Sequence, residues 1–78
     1  MKIKIKDIYR YFLKNTKFYT MKTSDKTYYN VIFINKGIKG SAFIYIFHID
    51  NIEALIIRGE EANRDIIEIQ EQEKFIFL

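Results

Sequence analysis

The chain is 78 residues long, carries 13 Lys and Arg against 10 Asp and Glu for a formal charge of +3, and contains no Cys, Pro or Trp. That length accommodates one domain, residues 1–78, with a thin core, because folding at this size hides only about 60–65% of the surface an unfolded chain exposes. The absence of cysteine excludes a disulfide framework and cysteine-type zinc sites, and it favours a reducing, cytoplasmic setting, since secreted domains this small are as a rule disulfide-dense.

In chain order, Met1–Lys6 alternates lysine and isoleucine and lacks the apolar run of a secretion signal. From Ile5 to Leu13 the apolar positions Ile5, Ile8, Tyr9, Phe12 and Leu13 recur at helical spacing, which predicts an amphipathic helix with Lys6, Arg10 and Lys14 on its wet face and Asn15 as its terminator. Ile3 and Ile5 also satisfy period two, so residues 2–5 fit a short strand as well. The period then changes. Residues 17–23 and 27–35 are rich in aromatic and β-branched side chains, and Ser24-Asp25-Lys26 between them has the chemistry of a hairpin turn.

Asn35 to Gly40 reads as a loop, and Ser41 to Ile49 as a third strand with Phe43, Tyr45, Phe47 and Ile49 on one face and Ala42, Ile44 and Ile46 on the other. The nearly uncharged stretch from Gly40 to Ile49 is about half the length that crosses a hydrocarbon core, so no membrane span is expected. Asp50-Asn51 breaks the run, Ile52–Ile57 resumes it, Arg58–Arg64 with Gly59 marks another turn, and Asp65–Gln70 gives a fifth strand. Lys74–Leu78 has almost no polar position and is expected to be a strand inside the sheet or at a dimer contact.

The fold class that follows is α+β: an N-terminal amphipathic helix packed on a strongly bent, mostly antiparallel sheet of five to six strands. One helix covers one face only, so the other calls for closure into a small barrel or for a second subunit as a homodimer.

Charge divides along the chain. Residues 1–40 hold nine Lys and Arg10 against Asp7 and Asp25, a net +8, whereas residues 41–78 hold three basic and eight acidic side chains, a net −5. This gives either a basic and an acidic face, or strands from the two halves that pair and mix the charges in space. Lys and Tyr interleave in the basic half at Lys17, Tyr19, Lys22, Tyr28, Tyr29, Lys36 and Lys39, a pattern that stacks bases on rings while ammonium groups meet phosphates. Alternation leaves only one of Phe18 and Tyr19, and one of Tyr28 and Tyr29, on an exposed face.

Catalytic chemistry is thin. The sole histidine, His48, stands near Asp50, and the only serines are Ser24 and Ser41, so a nucleophile, base and orienting group are hard to assemble and no catalytic residue is expected. Glu60, Glu61 and Asp65 fit no known ion loop and read as a solvated turn, so neither metal nor cofactor is expected. Gly37-Ile38-Lys39-Gly40 has the GxxG form that clamps nucleic acid in KH domains, but strand-like flanks make it a plain strand connection. Ile57-Arg58-Gly59 resembles the core of the second motif of Sm-like proteins, and with a leading helix before a bent sheet it implies a similar topology; RNA binding is not carried over from a three-residue match.

Size, missing catalytic groups and a composition rich in AT-encoded residues point to a small non-catalytic interaction protein. It would be an inhibitor or modulator of the anti-CRISPR or immunity-protein kind, encoded by a phage or other mobile element of a low-GC bacterium, that binds a host protein. For such a partner the acidic residues Glu60, Glu61, Glu71 and Glu73 are a candidate surface, able to mimic phosphates. The alternative is a small nucleic-acid-binding domain that uses the Lys- and Tyr-rich N-terminal half.

Overall fold

Period-two alternation shapes most of the molecule. A computed structural model describes residues 3–11, 14–34 and 40–78. It contains six strands: β1 (Ile3–Lys4), β2 (Tyr19–Thr23), β3 (Thr27–Phe33), β4 (Ala42–Phe47), β5 (Ile52–Ile57) and β6 (Asp65–Glu71). They form one sheet in the order β1-β6-β2-β3-β4-β5, antiparallel at every pairing. The sheet curls into a half-barrel whose edges, β1 and β5, do not pair, so the closed barrel expected as one solution is not formed.

The hairpin forms where turn chemistry predicts it. Thr23 N–H donates to the Lys26 carbonyl at 2.9 Å, and the Thr23 hydroxyl donates to Asp25 Oδ1 at 2.9 Å, which fixes the tight connection between β2 and β3. β5 occupies the predicted span, and β6 extends the predicted fifth strand by one residue. Residues 37–39 of the GxxG segment lie outside the described residues.

Alternation also sorts the two faces. The inner face carries Tyr19, Met21, Tyr28, Val31, Phe33, Ala42, Ile44, Ile57 and Ile66, all buried, with Ile46, Leu55 and Ile69 packed against them. Ile3 of β1 joins this face, and Ile5, Ile8 and Ala62 of two short helical turns complete the core. Phe43, Tyr45 and Phe47 point the other way and stay half-buried.

The N-terminal amphipathic helix is not present, so the α+β assignment is corrected to a mostly antiparallel β fold. Among the described residues the only helical turns are two 3-10 segments, Ile5–Arg10 and Glu61–Asn63. A nine-residue segment rich in Ile, Tyr and Phe is too short and too poor in helix formers to sustain an α-helix unaided. The period shows the outcome: at three residues per turn Ile5 and Ile8 stack on one face and are buried, whereas Tyr9, which an α-helix would bury with them, is 47% exposed. Tyr11 is already extended, with φ −100° and ψ 140°. Phe12 and Leu13 lie outside the described residues. The leading helix on which the Sm-like topology rested is therefore absent.

The final strand is also corrected. Residues 72–78 add no strand to the sheet; they cross its outer face and are fastened there by side chains. The fastening point is a bulge in β3. Tyr19 pairs with Val31 and Met21 with Tyr28, so Tyr29 and Asn30 together face Thr20, and Asn30 takes φ +57°, a left-handed conformation that Asn tolerates better than most residues. Asn30 is 2% exposed.

Candidate interaction surface

The bulge turns the Asn30 amide into a docking point for the chain that follows β6. Asn30 Nδ2 donates to the Ile76 carbonyl at 2.7 Å and Oδ1 accepts from Ile76 N–H at 2.8 Å, a pair of bonds that reproduces a rung of a β ladder. Gln72 braces the arrangement. Its Nε2 donates to Asn30 Oδ1 at 2.9 Å, its Oε1 accepts from both Asn30 N–H and the Thr20 hydroxyl at 2.9 Å, and its own N–H donates to the Phe18 carbonyl at 2.8 Å. Every buried side-chain nitrogen and oxygen among the described residues has a partner.

Held in this way, the segment lays aromatic rings across the outer face. Phe77 meets Phe75 with centroids 5.0 Å apart, Phe75 meets Phe18 at 5.7 Å, and Phe18 meets Phe47 at 5.3 Å, all edge-to-face. Between these rings and the β4–β5 turn lies a groove of about 400 Å³. Its apolar lining is Phe47, Ile49, Phe75, Phe77 and Leu78, and its rim carries His48, Asp50 and Asn51. It is not an enclosed pocket, because Ile49, Phe77 and Leu78 are 79%, 72% and 90% exposed. The apolar surface runs on over β4 and β5 through Ile52, which pairs with Phe47, and Ile56, which pairs with Phe43.

The basic and acidic halves of the sequence meet instead of separating. β6 lies between β1 and β2, which sets Lys4 across from Asp65 and Lys22 across from Glu68. Lys26 Nζ lies 2.7 Å from Glu61 Oε1, and Arg64 Nε lies 3.5 Å from Asp25 Oδ2. The Tyr28 hydroxyl donates to the same Glu61 oxygen, and the Lys26 ammonium stands 4.9 Å from the centre of the Tyr28 ring. The hydrogen bond from Lys26 and then that from Tyr28 hold the Glu61 carboxyl below the usual carboxylate range. Burial and then the bond to Glu61 push the Tyr28 hydroxyl up, and the bond to Glu61 raises Lys26. This cluster ties the hairpin turn to the Glu61–Asn63 segment.

Tyr19 and Tyr28 point into the core and offer no ring face to solvent; the Tyr19 hydroxyl accepts from Lys14 N–H at 3.1 Å. Tyr29 is half-buried, and Lys17 and Lys22 are exposed, while Lys36 and Lys39 lie outside the described residues. Of the acidic set, Glu61 is engaged by Lys26 and Tyr28, whereas Glu60, Glu71 and Glu73 are exposed and spread over the turn after β5, the end of β6 and the segment beyond it. Among the described residues no three of His, Asp and Glu converge as a metal site, and no helix is long and apolar enough to cross a membrane. His48 Nε2 lies 3.1 Å from Glu53 Oε1.

The groove itself was not legible as a site in the sequence. Its signals were present, an almost wholly apolar 74–78 and an Ile49 at the end of an alternating run, but both read as strand. The residues that lift 72–78 off the sheet edge, Asn30 and Gln72, carry no pattern that marks them in advance. Compared with known protein families, with characterised proteins and with solved structures, the chain matches none.

Proposed function

We propose that this chain is a non-catalytic interaction protein that binds another protein through the groove between the β4–β5 turn and residues 75–78. The observation that carries this reading is the concentration of exposed large apolar side chains at one place: Ile49, Phe77 and Leu78 around the groove, with Ile52 and Ile56 continuing it. Monomeric soluble domains rarely leave contiguous apolar surface of this kind uncovered, and aromatic side chains on a fixed backbone are the favoured anchors of protein interfaces. Asn30 and Gln72 hold that backbone in place before a partner arrives, which lowers the ordering cost of binding.

The basic surface favours this reading over nucleic acid. Two of its three tyrosines are buried, Lys26 is committed to Glu61, and Lys22 stands opposite Glu68, so the described positive charge forms no uninterrupted track for a phosphate backbone. A cytoplasmic setting and a role as a mobile-element inhibitor of a host protein accord with this reading and rest on the cysteine-free, AT-rich sequence.

The test is capture from lysate with the tagged chain and with an Ile49→Asp/Phe77→Asp variant, each before and after nuclease treatment. Both side chains are largely exposed, so the variant should keep the wild-type melting temperature. The reading predicts a discrete protein that survives nuclease and is lost with the variant. Retention of the same protein by the variant, or loss of every partner to nuclease, would overturn it.

A further inference from the structure

The strand at the free edge of the sheet carries a self-complementary pattern. β1, the opposite edge, is only two residues long, and one of them is Lys4, set across from Asp65 of β6. β5 is six residues long, pairs with β4 in unbroken register from Ile52 to Ile57, and has neither proline nor bulge nor lysine to discourage a further strand. Such an edge presents a row of unpaired backbone donors and acceptors. Its outer-face side chains, Ile52 at 58% and Ile56 at 46% exposure, have no strand beside them on the side away from β4.

We propose that a second copy of this chain occupies that edge, β5 against β5, antiparallel about a two-fold axis at Ala54. An antiparallel two-fold keeps each side chain on its own face, so residues of like parity must oppose one another, and the allowed registers differ by two. Centring on Ala54 sets Ile52 against Ile56 of the second copy, and beyond the strand ends Asp50 against Arg58, each twice by symmetry. Asp50 and Arg58 are exposed and form no ion pair within the chain among the described residues. The neighbouring registers fail on these same residues: one step places Glu53 against Glu53, and the other places Ile52 against Arg58.

The outer face then carries rows that continue across four strands, Phe43–Ile56–Ile52–Phe47 and Tyr45–Ala54–Ala54–Tyr45, where cross-strand apolar pairs meet directly. The second face left open by one sheet is in this way extended into a continuous apolar band, and the two exposed isoleucines gain the neighbours they lack.

Sedimentation equilibrium at up to hundreds of micromolar tests this. The wild-type chain should sediment at twice 9.5 kDa. Ala54→Lys, which places two like charges face to face at the axis, should weaken association by about tenfold or more. Asp50→Arg and Arg58→Asp should each weaken it alone, and an equimolar mixture of the two should associate again, because opposite charges are restored only in the mixed pair. At concentrations low enough for the wild type to be monomeric, melting temperatures of all variants should stay near wild type, since every altered side chain is exposed. A wild-type chain that remains at 9.5 kDa throughout would overturn the proposal, as would a dimer indifferent to Ala54→Lys. A mixture that associates no better than its components would overturn the register.

Discussion

Asn30 shows how much one side chain decides. It accepts a left-handed backbone, fills the bulge, and makes with Ile76 the two bonds that a further strand would have made. Replacing it with Ala removes those bonds and leaves a Cβ at positive φ without the short polar side chain that lets Asn tolerate that backbone. The unpartnered Ile76 and Gln72 groups add roughly 1–3 kcal/mol. Urea denaturation should rank Asn30→Ala below Asn30→Gly, because glycine loses the same bonds without the backbone strain. Hydrogen exchange should find the Ile76 amide unprotected in both variants.

Glu61 offers a prediction in pH. Its carboxyl is held low by Lys26 and Tyr28 in the folded chain and is released to the ordinary value of 4.5 on unfolding. The stability it contributes is therefore present above that value and lost as pH falls through the lower folded one. Lys26 is raised, so its share is present below 10.5 and lost as pH rises through the folded value. Melting curves should show wild type losing more than Glu61→Gln between about pH 6 and pH 3. A parallel decline of the two would mean that the cluster stores no stability.

At the scale of elements, strands were legible, whereas the expected N-terminal helix is a 3-10 turn. Turn residues and alternation locate β2 to β6 to within a few residues, because both signals are local. The Ile5–Leu13 stripe failed because spacings of three and four residues serve a 3-10 turn and an α-helix alike at Ile5 and Ile8, and only Tyr9 separates the two. That difference is measurable. Ile8→Ala should cost about 2–4 kcal/mol and Tyr9→Ala no more than about 0.5 kcal/mol; an α-helix seated on the same face would make both costly. Residues 74–78 misled for another reason. Four consecutive apolar side chains, Phe75 to Leu78, suit a buried strand, yet the sheet has no place for them beside β6, which already lies between β1 and β2.

For the whole molecule, charge segregation in sequence becomes charge mixing in space, since β6 brings the acidic half between the basic β1 and β2. Exposed pairs of this kind contribute at most about 1 kcal/mol each, so their main effect is to break up a continuous electrostatic surface. What stands out instead is apolar: the outer face, partly covered by Phe75 and open at Ile49, Phe77 and Leu78. A site made by the chain crossing its own sheet is a long-range feature. Local pattern placed its members, Phe47 and Phe75, but not their meeting.

The proposal that this groove binds another protein is tested most directly by site-resolved photo-crosslinking. A benzophenone amino acid placed at position 77 in the groove, and in a second variant at position 22 on the basic strand, would be activated in the living host. A discrete protein adduct is expected from position 77 and none from position 22. Adducts to nucleic acid, or a protein adduct from position 22 with none from position 77, would contradict the proposal.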